Sequence, residues 1–204
     1  MLTRQLVRRI GRRVVNALRE PPPEVTLLEM VWPETSLDQP PDVSVAAGYT
    51  LRQFEPGDLA QYVALLHAAE MDMPRLDYWE QHILPDGFFV IQENSSKRLV
   101  AACFASHHPT PRHPRAGNLG WLAAHPGHQG KGLGYAVSAA VTARLIRAGY
   151  RRLYLETHDF RVPAIKLYLR LGWIPLLYSE EMIDRWKLIC DRINWRYTPD
   201  SWPR

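Results

Sequence analysis

The sequence predicts an α/β protein of the α+β type: a mixed, mostly antiparallel sheet with helices on both faces and a central βαβ unit. Two observations predict it. Strand-like alternation and helix-like periodicity follow one another in the order β-α-α-β-β-β-α-β-α-β. A glycine-rich turn over 126–134 joins a strand to a long helix that returns to a strand, which is a βαβ crossover.

The first strand is 49–54, alternating from Tyr49 to Phe54. Pro56-Gly57-Asp58 then turns the chain into an apolar-periodic helix over 59–69, with Asp58 a candidate cap. Residues 76–84 predict a second, short helix. Strands over 88–92 and 99–106 form a hairpin across the polar run Asn94-Ser95-Ser96-Lys97. The loop 107–117 holds three prolines and three histidines. Strand 118–124 leads into the glycine turn and a helix over 131–148, closed by Gly149. Strand 152–157, a helix over 163–171 ending at Gly172, strand 173–177 and a helix over 180–191 complete the order.

These elements place one domain over 48–178, with a C-terminal helix and tail over 179–204. Residues 24–47 read as a proline-rich linker. Over 1–23 the pattern is a basic amphipathic helix. Leu2, Leu6, Ile10, Val14 and Leu18 recur every four residues opposite six arginines, and Pro21-Pro22-Pro23 ends the run. The formal charge of +4 belongs to that tail, because removing its six arginines leaves −2 for the rest. The basic pI therefore gives no reason to expect a nucleic-acid partner. Residues 1–19 are a candidate for contact with an anionic membrane or a partner protein. No apolar run approaches the roughly 20 residues of a membrane span, and the arginine-broken start is no secretory signal. Cys103 and Cys190 suggest no disulfide framework, so a cytoplasmic setting is expected.

The stretch His125-Pro126-Gly127-His128-Gln129-Gly130-Lys131-Gly132-Leu133-Gly134 is the most informative. Its alternate glycines let the backbone wrap an anion, and the helix that follows aims free N–H groups and a positive dipole end at it. Lys131 adds charge at the mouth. The spacing is neither G-x-G-x-x-G after a first strand nor G-x-x-x-x-G-K-S/T, so the dinucleotide and nucleoside-triphosphate loops are excluded.

Gln129-x-x-Gly132-x-Gly134 resembles the Q/R-x-x-G-x-G/A signature of the GNAT superfamily of acyl-CoA-dependent N-acyltransferases. Downstream, Ala164-Ile165-Lys166-Leu167-Tyr168-Leu169-Arg170-Leu171-Gly172-Trp173 is similar to the family's A-x-x-L-Y-x-x-x-G-F segment. The resemblance covers roughly residues 48–178. It implies a GNAT-like sheet, acetyl-CoA as acyl donor, and an N-acetyltransferase acting on a primary amine by direct attack. It also implies roles. The backbone of Leu122, Ala123 and Ala124 would pair with the pantetheine arm. The amides of Gln129, Gly130, Lys131, Gly132, Leu133 and Gly134 would hold the pyrophosphate. Tyr168 would protonate the departing thiolate. A homodimer is a further expectation.

The chemistry sets what else is required. A lysine-like amine, with pKa about 10.4, must lose a proton before it attacks. Strand 118–124 holds no acid, so the candidate bases are Glu156, His158 and Asp159, or His107 and His108. Arg161 stands where many members carry asparagine. The loop 107–117 is a candidate for lining the acceptor site. His125, His128 and the histidines of that loop lack the spacing of a metal site, so no metal is expected. A non-catalytic acyl-CoA-binding regulatory module of the same fold is the alternative reading.

Overall fold

The computed structural model describes residues 26–72 and 76–204. The amphipathic helix expected over 1–23 lies outside them. The strands are β1 (Leu28–Val31), β2 (Tyr49–Gln53), β3 (Ile83–Glu93), β4 (Leu99–His107), β5 (Gly117–Ala124), β6 (Leu153–Thr157) and β7 (Ile174–Pro175). The helices are α1 (Leu59–Ala68), α2 (Leu76–Trp79), α3 (Leu133–Arg147), α4 (Val162–Leu171) and α5 (Glu180–Ile193). The strands form one sheet in the order β2-β3-β4-β5-β6-β1-β7. Only the β5–β6 pair is parallel; the other pairs are antiparallel.

Alternation along the strands sorts the core onto two faces. Ala101, Cys103 and Ala105 of β4 face α3, α4 and α5, which contribute Val137, Val141, Ile165 and Trp186 to the same cluster. Ala102 faces the other way, toward Tyr62, Leu65 and Leu66 of α1. Helices thus cover both faces of a mixed sheet. No helix among the described residues is long and apolar enough to cross a membrane.

Three expectations are corrected. The helix expected over 76–84 spans only Leu76–Trp79, and the chain enters β3 at Ile83. The segment read as linker contains β1, which inserts between β6 and β7 and pairs antiparallel with both. Every residue of Leu-Glu-Met-Val is buried, so the strand lacks the polar alternation that marks a half-exposed one. Trp32 anchors its end, edge-on to Trp173 at 5.7 Å and against Gly172, whose φ of 111° closes α4. Asp58, expected to cap α1, makes no side-chain cap bond there. Its Oδ2 instead accepts from the Glu55 amide at 2.8 Å, closing a single 3₁₀ turn ahead of the helix.

Candidate active site

The site begins where two strands part. β5 pairs with β6 only through Gly117↔Leu153 and Asn118↔Tyr154. From Leu119 onward β5 has no ladder partner on that side, so a wedge opens between the strands. At the same level the β4–β5 register shifts between Ala102 and Phe104, and Trp121 takes a φ of 56°. A left-handed tryptophan costs about 1–2 kcal/mol and re-aims the strand backbone at the wedge. Gly120 makes room for the bulge, since a Cβ there would stand 2.9 Å from the Phe104 ring. Leu122, Ala123 and Ala124 follow on the bulged strand, with Ala123 buried and Ala124 exposed.

The chain leaves β5 through one 3₁₀ turn, Pro126–His128, held by His125 Nδ1, which accepts from the Gly127 amide. Gly130 and Gly132 then take φ of 77° and 72°, and Gly132 starts α3. Among the described residues, no protein acceptor is found for the amides of residues 130–135. Gln129, Gly130, Lys131 and Gly132 are exposed, so the mouth of α3 is open rather than plugged. A cradle of unpaired amides at a helix N-terminus fits a pyrophosphate. The glycines differ in purpose. A Cβ on Gly130 or Gly132 would meet nothing within 4 Å, so backbone conformation alone demands glycine there. A Cβ on Gly134 would come 2.9 Å from Leu167 of α4, so that glycine serves helix packing. Lys131 Nζ donates to the Tyr49 hydroxyl at 2.6 Å, and that hydroxyl also meets His128 Nδ1 at 2.9 Å.

Tyr168 of α4 packs in the core cluster on the α3–α4 face of the sheet, with only 5% of its surface exposed. Burial pushes its pKa well above the ordinary phenol value, and nearby Cys103, opposite the bulge, adds to the rise while Arg161 opposes it. The phenol is therefore a fully protonated donor at neutral pH.

On the opposite face, β1 and β6 bring Glu29 and Glu156 into register. Glu29 is buried, accepting from Arg112 Nε at 2.9 Å and from His113 Nε2 at 2.7 Å. Arg152 Nε donates to His113 Nδ1 at 3.1 Å, so the ring proton sits on Nε2, and the imidazole stacks on Tyr154 at 4.2 Å. Glu156 is exposed to solvent. Enough protein surrounds its carboxyl that desolvation raises its pKa, and the charge of Glu29 pushes the same way. Of the other candidate bases, Asp159 is held below the ordinary carboxylate range by its hydrogen-bonded ion pair with Arg185. His158 stacks on Phe160 at 4.9 Å, and His107 Nδ1 meets the Tyr150 hydroxyl at 3.0 Å. His108 meets the Tyr78 hydroxyl at 2.9 Å, and desolvation lowers its pKa. Among the described residues no three His, Cys, Asp or Glu side chains gather as a metal site.

Sequence reasoning missed three parts of this arrangement. The Trp121 bulge has no sequence signature. Glu29 was hidden in the supposed linker, where the apolar run 27–32 was the available signal. Arg112 and His113 meet Glu29 across more than 80 residues of chain.

A seven-stranded sheet that splays beside a bulge, above a glycine-opened helix, is the architecture of an acyl-CoA-dependent acetyltransferase. The family model described as "Acetyltransferase (GNAT) family" matches residues 52–173, and the chain belongs to that family. It is 30% identical over 148 residues to a mycothiol acetyltransferase of Salinispora arenicola, covering 67% of this chain and 47% of the relative. A mycothiol acetyltransferase of Frankia casuarinae is 27% identical over 179 residues, covering 79% and 51%. The chain thus spans about half the length of the curated relatives it matches. In fold it is similar to a GCN5-related N-acetyltransferase from Sphaerobacter thermophilus, with TM-score 0.58, 23% identity and coverage of 73% and 48%. A putative GNAT acetyltransferase from Novosphingobium aromaticivorans gives TM-score 0.55 at 22% identity, covering 77% and 65%.

Proposed function

We propose that this chain is an N-acetyltransferase that moves an acetyl group from acetyl-CoA to a primary amine by direct attack. The observation that carries this reading is the wedge: β5 parts from β6 beside the Trp121 bulge and leads into an open cradle of amides. The amides of Gln129, Gly130, Lys131, Gly132, Leu133 and Gly134 hold the pyrophosphate. Leu122, Ala123 and Ala124 offer strand backbone to the pantetheine arm. The bound thioester supplies the acetyl group and a thiolate leaving group.

The protein's own groups then divide the work. Glu156 takes the proton from the amine, a role its raised pKa suits, because desolvation and the charge of Glu29 make its carboxylate a stronger base than an ordinary one. Backbone N–H groups of β5 receive the oxyanion as the C–N bond forms. Tyr168, kept protonated by burial, gives its proton to the thiolate as the C–S bond breaks. The soluble, reducing cytoplasm is the proposed setting, which two free, buried cysteines suit.

Calorimetric titration with acetyl-CoA and release of CoA thiol across an amine panel test the reading. Binding with turnover is expected. Binding without turnover on any amine would favour the non-catalytic acyl-CoA-binding module, and no binding at millimolar donor would sink both.

A further inference from the structure

Arg112 pairs with Glu29, the cross-strand neighbour of Glu156. Its Nε donates to Glu29 at 2.9 Å, and its guanidinium carbon lies 3.9 Å from the centre of the Tyr178 ring. Anchored at one nitrogen and stacked on one face, the side chain has already lost most of its rotamer freedom. It is nevertheless 45% exposed, and among the described residues neither terminal nitrogen has an acceptor. A guanidinium carries five N–H donors, and only one is spent here. The other four form a preset fork of the kind that receives a planar anion.

The charges around it balance. His113 carries its single ring proton toward Glu29, so Arg112 and Arg152 are set against Glu29 and an ionised Glu156, and the fork faces no excess of negative charge. Arg112 also lies within charge range of Glu156, and so does Glu29. A base for an amine and a free guanidinium fork therefore stand beside the same Glu29. An acceptor with only cationic groups would leave the fork unused.

We infer that the acceptor carries an anionic group, a carboxylate or phosphate, a few bonds from its amine, and that Arg112 selects for it. This rests on the reading that Glu156 accepts the amine's proton. Arg112 is a specificity-determining residue: it binds the end of the substrate that does not react.

Matched amines test it on the full chain, with CoA-thiol release as readout. Glycine and L-alanine are each compared with their carboxamides, and glucosamine 6-phosphate with glucosamine. The acidic member of at least one series should have a kcat/KM at least about tenfold higher, carried by KM, since a hydrogen bond to a charged group contributes about 1.5–3 kcal/mol. The series that responds distinguishes a carboxylate from a phosphate. Arg112→Lys keeps a cation beside Glu29 but removes the fork. It should raise KM for the anionic member about tenfold more than for its neutral partner. Equal rates on both members of every pair, or an equal loss on both in Arg112→Lys, would overturn the inference alone. Bound acetyl-CoA with no turnover on any amine would instead remove the acetyltransferase reading, and this inference with it.

Discussion

Glu29 of β1 and Glu156 of β6 stand opposite one another in the antiparallel ladder, yet their surroundings drive them apart. Burial alone would raise both. At Glu29 the hydrogen bonds from His113 and Arg112 together overrule it, and the pKa falls below the ordinary carboxylate value. Glu156 has no hydrogen-bonded partner among the described residues, and its pKa rises. Two carboxylates pushed in opposite directions mark a division of labour: one is structural, the other able to exchange a proton.

Glu156→Gln should therefore lower kcat by about 10²–10⁴-fold, the range of a lost general base, with acetyl-CoA affinity unchanged. Glu29→Gln should move the pH profile. The base works deprotonated, so the rate climbs as pH rises through the pKa of Glu156. Removing the charge of Glu29 lowers that pKa, and the acid limb of kcat/KM should shift to lower pH. A limb that stays in place or moves up would contradict the assignment.

Tyr168→Phe removes the proton donor and little volume. We expect kcat to fall about 10²-fold or more, with the affinity for acetyl-CoA within twofold of the parent. Burial holds the phenol above its ordinary pKa of about 10, so Tyr168 should cause no loss of activity below about pH 10. An alkaline limb at lower pH that disappears in Tyr168→Phe would show the hydroxyl ionising where this environment forbids it.

The glycines of the loop should respond in an order opposite to the space around them. Gly132→Ala meets no neighbour but forces an L residue to a φ of 72°, at a cost of about 1–2 kcal/mol and of weaker acetyl-CoA binding. Gly134→Ala presses on the far end of Leu167, which is half-buried and can turn, while alanine gains about 1 kcal/mol of helix propensity. Melting temperatures and calorimetry separate the two. Gly134→Ala should stay within about 1 kcal/mol of the parent, and Gly132→Ala should fall below it. The reverse order would mean that packing rather than conformation governs the loop.

The sequence carried the fold where periodicity was local. Most strands and helices from Tyr49 to Ile193 were legible because they alternate or repeat over their own length, whereas the helix expected over 76–84 ends at Trp79 and Ile83 already belongs to β3. β1 was not legible, because a four-residue strand buried on both faces has no alternation to display. In the candidate site, Gln129, Gly132, Gly134 and Tyr168 were named through the resemblance of two motifs to the GNAT family. The Glu29, Arg112 and His113 cluster could not, since it is assembled from β1 and a proline-broken loop brought together only by the sheet order. The separate task of Gly134 was equally hidden, because its reason is a leucine on another helix.

A last prediction concerns the hinge between β2 and α1. Asp58 accepts from Arg52 Nη1 at 2.6 Å, from Arg52 Nη2 at 2.8 Å and from the Glu55 amide at 2.8 Å, with a side chain only 8% exposed. The bidentate Arg52 bond is the main cause of its depressed pKa, helped by the Glu55 amide against desolvation. Asp58→Asn keeps the shape but loses the charge, leaving the Arg52 fork without its anion. We expect a loss of about 2–3 kcal/mol at pH 7, as for hydrogen bonds to charged groups. The folded pKa lies below the unfolded one, so the stabilisation is complete above about pH 4 and disappears as pH falls through the folded value. Denaturant melts of parent and Asp58→Asn should thus differ at pH 7 and converge below pH 4. A gap that persists undiminished in acid would show that the carboxylate charge is not what holds this turn.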